Sequence, residues 1–367
     1  MTMERDYRAT VDEKRVTQIR SVLKELPQAC GDFIRNISTT TSTLTRLAYV
    51  YDLRIFFAFL TAERVRFSTC TSISFSDLDL AAITQSDLEA FVEYLTIYYK
   101  NENVDAPLQS QRVVQNHELG IMRKLSTLRS FFDYLYRSKR IPGNVATLVP
   151  LPKLHEKPIL RLEMDEVSRM LSIAQNGEAL SPRQQKYQKI TQLRDFAILS
   201  LFLGTGIRVS ECVGINIDDL DFYQNACLVT RKGGNQVMIY FPQEVADALY
   251  AYMEQRKEIE TLPGHEQAFF LSLQNRRINQ RAVQNLVKKS ALLAAQLKKK
   301  ISPHKLRSTF GTNLYNETGD IYLVADVLGH SDVNTTRKHY AAMSEKRRRE
   351  AVKFVKYQPE NEEDMPD

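Results

Sequence analysis

Residues 203–214 read LGTGIRVSECVG. Gly204 and Gly206 permit tight backbone, and Thr205 between them is a candidate cap for a helix that follows. Arg208 then falls in the first turns of that helix, three residues before Glu211, so the two can share a face. Taken alone, this reads as a surface ion pair. Residues 302–310 read SPHKLRSTF. Ser302 as N-cap and Pro303 at the first helical position make a helix start. His304 sits in the first turn, with Arg307 three residues on along the same face. Free N–H groups and the helix dipole favour an anion there, so the pair is a candidate phosphate clamp. A capped helix with incidental bases has the same appearance.

Residues 327–340 read VLGHSDVNTTRKHY. Leu328-Gly329 ends one helix and Ser331 can cap a second, which carries Tyr340. His330 lies in the turn between them. Upstream, ACLVT (226–230) and QVMIYF (236–241) flank Arg231-Lys232-Gly233-Gly234-Asn235. Two β-prone runs around a Gly-Gly turn predict a hairpin with Lys232 at its tip, and residues 220–222 can add a third strand. A turn lysine can simply be solvated, and a tyrosine on a terminal helix can simply be packing.

The N-terminal part reads as helices. Over residues 42–60, Leu47, Tyr51, Ile55 and Phe59 recur four apart with Phe56 beside them, which predicts one buried face. Thr84 and Asp87 form a capping-box pattern opening a helix over 86–98. A third helix spans 122–136, with Leu125, Leu128, Phe132 and Leu135 at core spacing, until Pro142-Gly143 breaks it. Residues 101–115 are polar and read as a loop. Pro150, Pro152 and Pro158 mark extended chain. The expected organisation is a helical domain over 1–148, a linker over 149–158, a second domain over 159–357 and an acidic tail over 358–367. The fold class is mainly α (α+β).

The chain has 367 residues, with 50 Lys+Arg against 44 Asp+Glu, a net charge of +6. Five of the acids lie in the last ten residues, so the rest of the chain carries +11, which suits a polyanionic partner. Cys30, Cys70, Cys212 and Cys227 are scattered without a CxxC pair, which argues against a disulfide scaffold or zinc ribbon. Neither a membrane-length apolar run nor a signal peptide is read, and a cytoplasmic protein is expected.

Two Arg, two His, one Lys and one Tyr together are the parts for phosphodiester transfer without a metal or other cofactor. Arginine binds phosphate bidentately. Tyrosine is a competent covalent nucleophile once deprotonated. Lysine and histidine move protons. His304, His330 and His339 lack the spacing of a zinc site, and no carboxylate cluster suited to Mg²⁺ is apparent.

These motifs, in this order, resemble the tyrosine recombinase (phage integrase) family. The segments GTGIRVSE, HKLR, LGH, the hairpin lysine and Tyr340 carry the match across 159–340. The helical region from Val16 to Thr147 is similar to the family's core-binding domain. The resemblance is to the Xer type. The segments VDEKRVTQIRSVLKELP and PKLHEKPILRLEMDEV resemble the XerS-like single-recombinase branch of Firmicutes. A further N-terminal arm-binding domain is not expected, which favours a simple recombinase acting at a short core site.

The resemblance implies roles for each position. Arg208 and Arg307 bind the scissile phosphate, and His330 adds a hydrogen bond. Lys232 is the general acid and His304 a general base or hydrogen-bond partner. Tyr340 attacks to give a 3′-phosphotyrosyl enzyme, and Glu211 orients the Arg208 segment. Attack by a partner strand then leads through a Holliday junction. His339 is ancillary or competes with His304.

The resemblance further implies a two-domain clamp on a double-stranded DNA core site. It implies a homotetramer on two sites through exchange of the C-terminal helix, and a septal DNA translocase as a possible partner. DNA-contact candidates are Arg276, Arg277, Arg281, Lys288 and Lys289, with Arg123, Lys124 and Arg129 in the first domain; solvated surface is the other reading of each. The role implied is resolution of chromosome dimers. A mobile-element integrase or transposase, a type IB topoisomerase and a non-catalytic DNA-binding relative are the alternatives.

Overall fold

The computed structural model describes residues 7–100, 112–153, 161–177, 180–231, 233–294, 301–330 and 332–334. The chain divides into two compact units, Met1–Lys157 and Pro158–Asp367.

The first unit is built on α1 (Tyr7–Leu23), α2 (Gln28–Asn36), α3 (Thr43–Glu63), α4 (Asp77–Ala81), α5 (Gln85–Thr96) and α6 (Glu118–Arg137). Ser42 caps α3 by accepting the Thr45 N–H. Its buried line is Val50, Leu53, Phe56, Phe57 and Leu60, with Phe59 also buried. Leu47, Tyr51 and Ile55 pack only part-way against this core. The predicted helix is present, but its face is rotated from the four-apart row that the sequence suggested. A row spaced by four drifts around a 3.6-residue helix, whereas 50, 53, 57 and 60 stay on one side. Phe56, Phe57, Phe91, Phe131 and Phe132 interlock in this core, the Phe56 and Phe91 rings standing edge-to-face at 5.1 Å. Such pairs add about 0.5–1.5 kcal/mol each beyond the area they bury.

Helix α6 buries the four residues read from the sequence, Leu125, Leu128, Phe132 and Leu135. At the start of α5, the Asp87 carboxylate accepts the backbone N–H and hydroxyl of Thr84, each at 2.8 Å. It also pairs with Arg64 at 2.7 Å and with Arg66. Helix α5 ends at Thr96, earlier than expected. Strand β1 (Ile97–Lys100) follows and pairs antiparallel with β2 (Arg112–Gln115), Tyr98 opposite Val114. The end of the region read as loop is therefore a strand. Arg-Val-Val-Gln is too short, and does not alternate, so it does not stand out until β1 pairs with it.

The second unit comprises α7 (Met164–Asn176), α8 (Pro182–Thr205), α9 (Val209–Cys212), β3 (Leu220–Asp221), β4 (Ala226–Thr230), β5 (Gln236–Tyr240), α10 (Gln243–Lys257), α11 (Gln280–Ala294), α12 (Pro303–Thr318) and α13 (Ile321–Leu328). Every residue from Ala197 to Phe202 is buried, so the C-terminal half of α8 is enclosed on all sides by its neighbours α7, α10 and α12. Gly204 permits one of these contacts, since a Cβ there would fall 2.6 Å from Val245 Cγ2 on α10. The sheet runs β3-β4-β5, antiparallel throughout, with Cys227 opposite both Leu220 and Ile239. The hairpin and its short third strand lie where the sequence put them. Its turn is closed by the Arg231 N–H donating to Asn235 O at 2.8 Å and the Gly234 N–H to Arg231 O at 3.1 Å. Gly233 and Gly234 both take positive φ there. No helix among the described residues is long and apolar enough to cross a membrane.

Candidate active site

The site of the second unit is assembled from three helix ends. Helix α8 stops at Thr205, and Gly206 follows in the left-handed region, φ 63°. Thr205 thus closes a helix rather than opening one: its hydroxyl donates to Leu201 O at 2.6 Å and accepts the Ile207 N–H at 3.2 Å. Arg208 is correspondingly at the N-cap position of the short α9, not within it. The buried carboxylate of Glu211 accepts the Arg208 backbone N–H and its Nη1, each at 2.9 Å. This ion pair restricts Arg208 to a narrow set of rotamers, and Nη2 then donates to Gly329 O at 2.8 Å.

Pro303 opens α12, with Ser302 extended before it; the Ser302 side chain makes no capping bond, and its carbonyl accepts the Lys305 N–H at 2.8 Å. Although His304 and Arg307 lie one turn apart, they meet different surroundings: His304 is exposed, while Arg307 is only 5% exposed. Arg307 Nη1 donates to Gly206 O at 2.6 Å and its Nη2 to Leu328 O.

The third end is that of α13. Gly329 is left-handed, φ 61° and ψ 51°, its N–H donates to Asp326 O at 2.8 Å, and the His330 N–H donates to Ala325 O at 2.9 Å. These two bonds make a Schellman motif, which places His330 directly beyond the helix. The remaining carbonyls of the last turn and of Gly329 go to arginines. Arg231 Nη2 takes Val327 O at 3.0 Å and Nη1 makes a longer 3.4 Å approach to Asp326 O. Arg307 takes Leu328 O and Arg208 takes Gly329 O. Three guanidinium groups thus gather at the negative end of one eight-residue helix.

The structure therefore brings Arg208, Arg307 and His330 together, with Glu211 behind Arg208. Lys232, Ser331, His339 and Tyr340 lie outside the described residues. Sequence reasoning gave Arg231 no role; the available signal was its place beside the hairpin lysine. Cys212 and Cys227 are both buried and burial pushes both thiols up, so neither is a nucleophile at neutral pH. No group of metal-ligating residues occurs among the described residues.

The basic residues singled out for DNA contact fall into two classes. In the first unit, Arg123 pairs with the buried Asp52, Nη2 to Oδ1 at 2.6 Å, and the Thr127 hydroxyl donates to the same carboxylate at 2.8 Å. Lys124 is 7% exposed and donates to Asn116 Oδ1 at 2.8 Å, burial drawing its ammonium down. Arg129 donates to Ala146 O at 3.2 Å and Val149 O at 2.7 Å. In the second unit, Arg277 holds Ile215 O at 2.9 Å and Asn216 Oδ1 at 2.6 Å. These four side chains brace the fold, Arg123 while its side chain stays half exposed. Arg276, Arg281, Lys288 and Lys289 are exposed.

Arg208 and Arg307 thus converge on the end of α13, with His330 as the next residue beyond Gly329. Residues 161–347 match the phage integrase family. The chain is 34% identical over 333 residues to tyrosine recombinase XerC of Caldanaerobacter subterraneus subsp. tengcongensis, covering 89% of this chain and 86% of that one. It is also 34% identical over 261 residues to tyrosine recombinase XerC of Thermodesulfovibrio yellowstonii, covering 69% of this chain and 82% of that one. The fold is shared with the Tn1549 transposon integrase solved with circular intermediate DNA, at a TM-score of 0.60 and 19% identity over 88% of this chain and 98% of that one. The chain belongs to the phage integrase family, the tyrosine recombinases, which cleave and rejoin DNA through a catalytic tyrosine.

Proposed function

We propose that this tyrosine recombinase acts at a short DNA core site to resolve chromosome dimers. The observation that best supports the reading is the meeting of Arg208, Arg307 and His330 around the end of α13. In this mechanism Arg208 and Arg307 hold the non-bridging oxygens of the scissile phosphate, and His330 donates a third hydrogen bond. An arginine carries five N–H donors, and the bonds from Arg208 to Glu211 and Gly329 engage only one hydrogen on each η nitrogen. Tyr340 gives up its proton toward His304 and its oxygen bonds to phosphorus. The bond from phosphorus to the 5′-oxygen breaks, and Lys232 protonates that leaving oxygen. The phosphotyrosyl ester keeps the energy of the phosphodiester, so a partner strand's 5′-hydroxyl can displace the tyrosine without ATP, metal or cofactor.

The N-terminal residues 1–148 and the catalytic residues 159–357 clamp the duplex, joined by the linker 149–158 and followed by the acidic tail. Arg276, Arg281, Lys288 and Lys289 are the phosphate contacts this reading favours, because they are exposed and, unlike the exposed Arg123, are not paired with a buried carboxylate. Four protomers act on two sites, linked by the helix beyond Tyr340, in the cytoplasm. A septal translocase brings the sites together, and the subtype is XerS-like.

The test is a nicked suicide duplex carrying a core site from the replication-terminus region, with wild type compared against Tyr340→Phe on a denaturing gel. A covalent protein–DNA band with wild type alone is expected. Retarded DNA without any covalent band would instead favour a binding-only relative.

A further inference from the structure

We propose that Arg231 is a positioning residue that fastens the β4–β5 turn, and with it the neighbouring Lys232, to the C-terminal end of α13. The inference rests on the assignment of Lys232 as the acid that protonates the leaving 5′-oxygen.

Three observations converge on it. First, Arg231 spans 95 and 96 residues of sequence to reach Asp326 O and Val327 O, so it connects two elements that share no local chain. Second, its own backbone is part of the turn: its N–H donates to Asn235 O and its carbonyl accepts the Gly234 N–H, at 2.8 and 3.1 Å. Third, Gly329 makes room for it. A Cβ on Gly329 would collide with Nη1 and Cζ of Arg231. The glycine of LGH therefore serves twice, for its left-handed backbone and for the guanidinium lying over it.

The consequence is mechanical. The carbonyls taken by Arg231 immediately precede those taken by Arg307 and Arg208 along α13. One helix end thus references both the phosphate-binding arginines and the turn. At Gly233 and Gly234 a Cβ would meet open space, so side-chain packing does not hold the turn there. Adjacent Cα atoms are about 3.8 Å apart, so holding Arg231 limits where Lys232 can reach. Without that hold the acid would still be present, but its ammonium would wander relative to the leaving oxygen.

The experiment separates this role from general support of the fold. Cleavage is timed on two suicide duplexes, one with the natural phosphodiester and one with sulfur replacing the bridging 5′-oxygen. A thiolate departs without a proton, so the sulfur substrate needs no acid. Arg231→Ala is expected to slow cleavage of the oxygen substrate about 100-fold, the cost of roughly 1 Å of misplacement. On the sulfur substrate it should cleave near the wild-type rate, as should Lys232→Ala. Arg231→Lys, which keeps one donor at the helix end, should fall between Arg231→Ala and wild type on the oxygen substrate. Equal slowing of Arg231→Ala on both substrates would overturn the proposal, and so would undiminished cleavage of the oxygen substrate. If Lys232→Ala is not rescued by sulfur while wild type cleaves both, the acid assignment itself is wrong and the proposal falls with it. If wild type cleaves neither, the recombinase reading fails first.

Discussion

Gly206 and Leu328 meet across the site: a Cβ on Gly206 would stand 2.9 Å from Leu328 Cδ2, and one guanidinium, that of Arg307, takes the carbonyl oxygens of both residues. The ends of α8 and α13 are therefore held together by apolar contact and by a shared buried cation. On the proposed mechanism, an arginine arranged this way is preorganised before any phosphate arrives, which is where electrostatic catalysis has its largest effect.

Gly206→Ala should damage this junction. The residue has φ 63°, and its new Cβ would fall 2.6 Å from Phe310 Cδ1 as well as against Leu328. The left-handed backbone costs about 1–2 kcal/mol and overpacking about 1–3 kcal/mol more. Gly264→Ala is the matched control, because Gly264 also has positive φ (82°) but open space around it. Denaturant unfolding should show Gly206→Ala clearly the less stable. Equal losses would mean the neighbours give way and only the backbone matters.

Glu211→Gln should separate chemistry from binding. It keeps the size of the side chain but removes the charge that the Arg208 guanidinium faces. A hydrogen bond between charged partners is worth about 1.5–3 kcal/mol, which corresponds to roughly ten- to hundredfold in rate. Single-turnover cleavage should fall by that order while DNA affinity at fixed salt changes little. An unchanged rate would show that the Gly329 carbonyl alone suffices to orient Arg208.

Asp87 gives the first unit an acid-labile point. Burial by itself would raise its carboxyl, but the Thr84 amide and hydroxyl and the Arg64 and Arg66 guanidinium groups outweigh it and hold the group below its ordinary value. A depressed carboxylate stabilises the fold fully above its unfolded value, about 3.9, and that stabilisation is lost as pH falls through the lower folded value. Asp87→Asn should therefore lower stability at pH 7 and flatten the acid side of the stability curve. Thermal melts from pH 7 down to about 3 would check this, and parallel curves for the two proteins would refute it.

The two classes of basic residue should respond differently to salt. Lys288→Ala with Lys289→Ala removes exposed charge, so the slope of log affinity against log salt should shrink by about 2, near 0.9 per phosphate contact, with melting unchanged. Arg123→Ala leaves Asp52, 2% exposed, without its ion-paired guanidinium, with the charge of Lys124 still nearby. It should cost about 2–3 kcal/mol of stability, because Thr127 still donates to the carboxylate, and leave the salt slope alone. A salt slope that moved with Arg123 would return that residue to the DNA surface.

Much of the local architecture is legible in the chain. The glycine after Leu328 and the proline after Ser302 act through backbone conformation within a residue or two, so a helix end can be read where they occur. Helix α6 is legible because its apolar residues keep one face over several turns. Other features resist reading. GTG marks the end of α8 rather than the start of the next helix, since a Gly at the left-handed position and a Thr at a cap leave similar traces. In α3 the apolar residues nearly encircle the helix, so periodicity alone does not choose the buried side. Strand β2 becomes recognisable only through its partner β1.

Read alone, the sequence pointed to the family, the start of α12, the end of α13 and the buried face of α6, because each depends on chemistry or backbone preference within a short stretch. Tertiary structure alone decided which basic groups face the site and which brace the fold. Arg307 reaches Gly206 across 101 residues and Arg208 reaches Gly329 across 121. Arg129, as basic as either, turns inward to Ala146 and Val149 instead. A guanidinium takes whichever carbonyl oxygens packing leaves unpaired within its reach, and only the folded chain sets which those are.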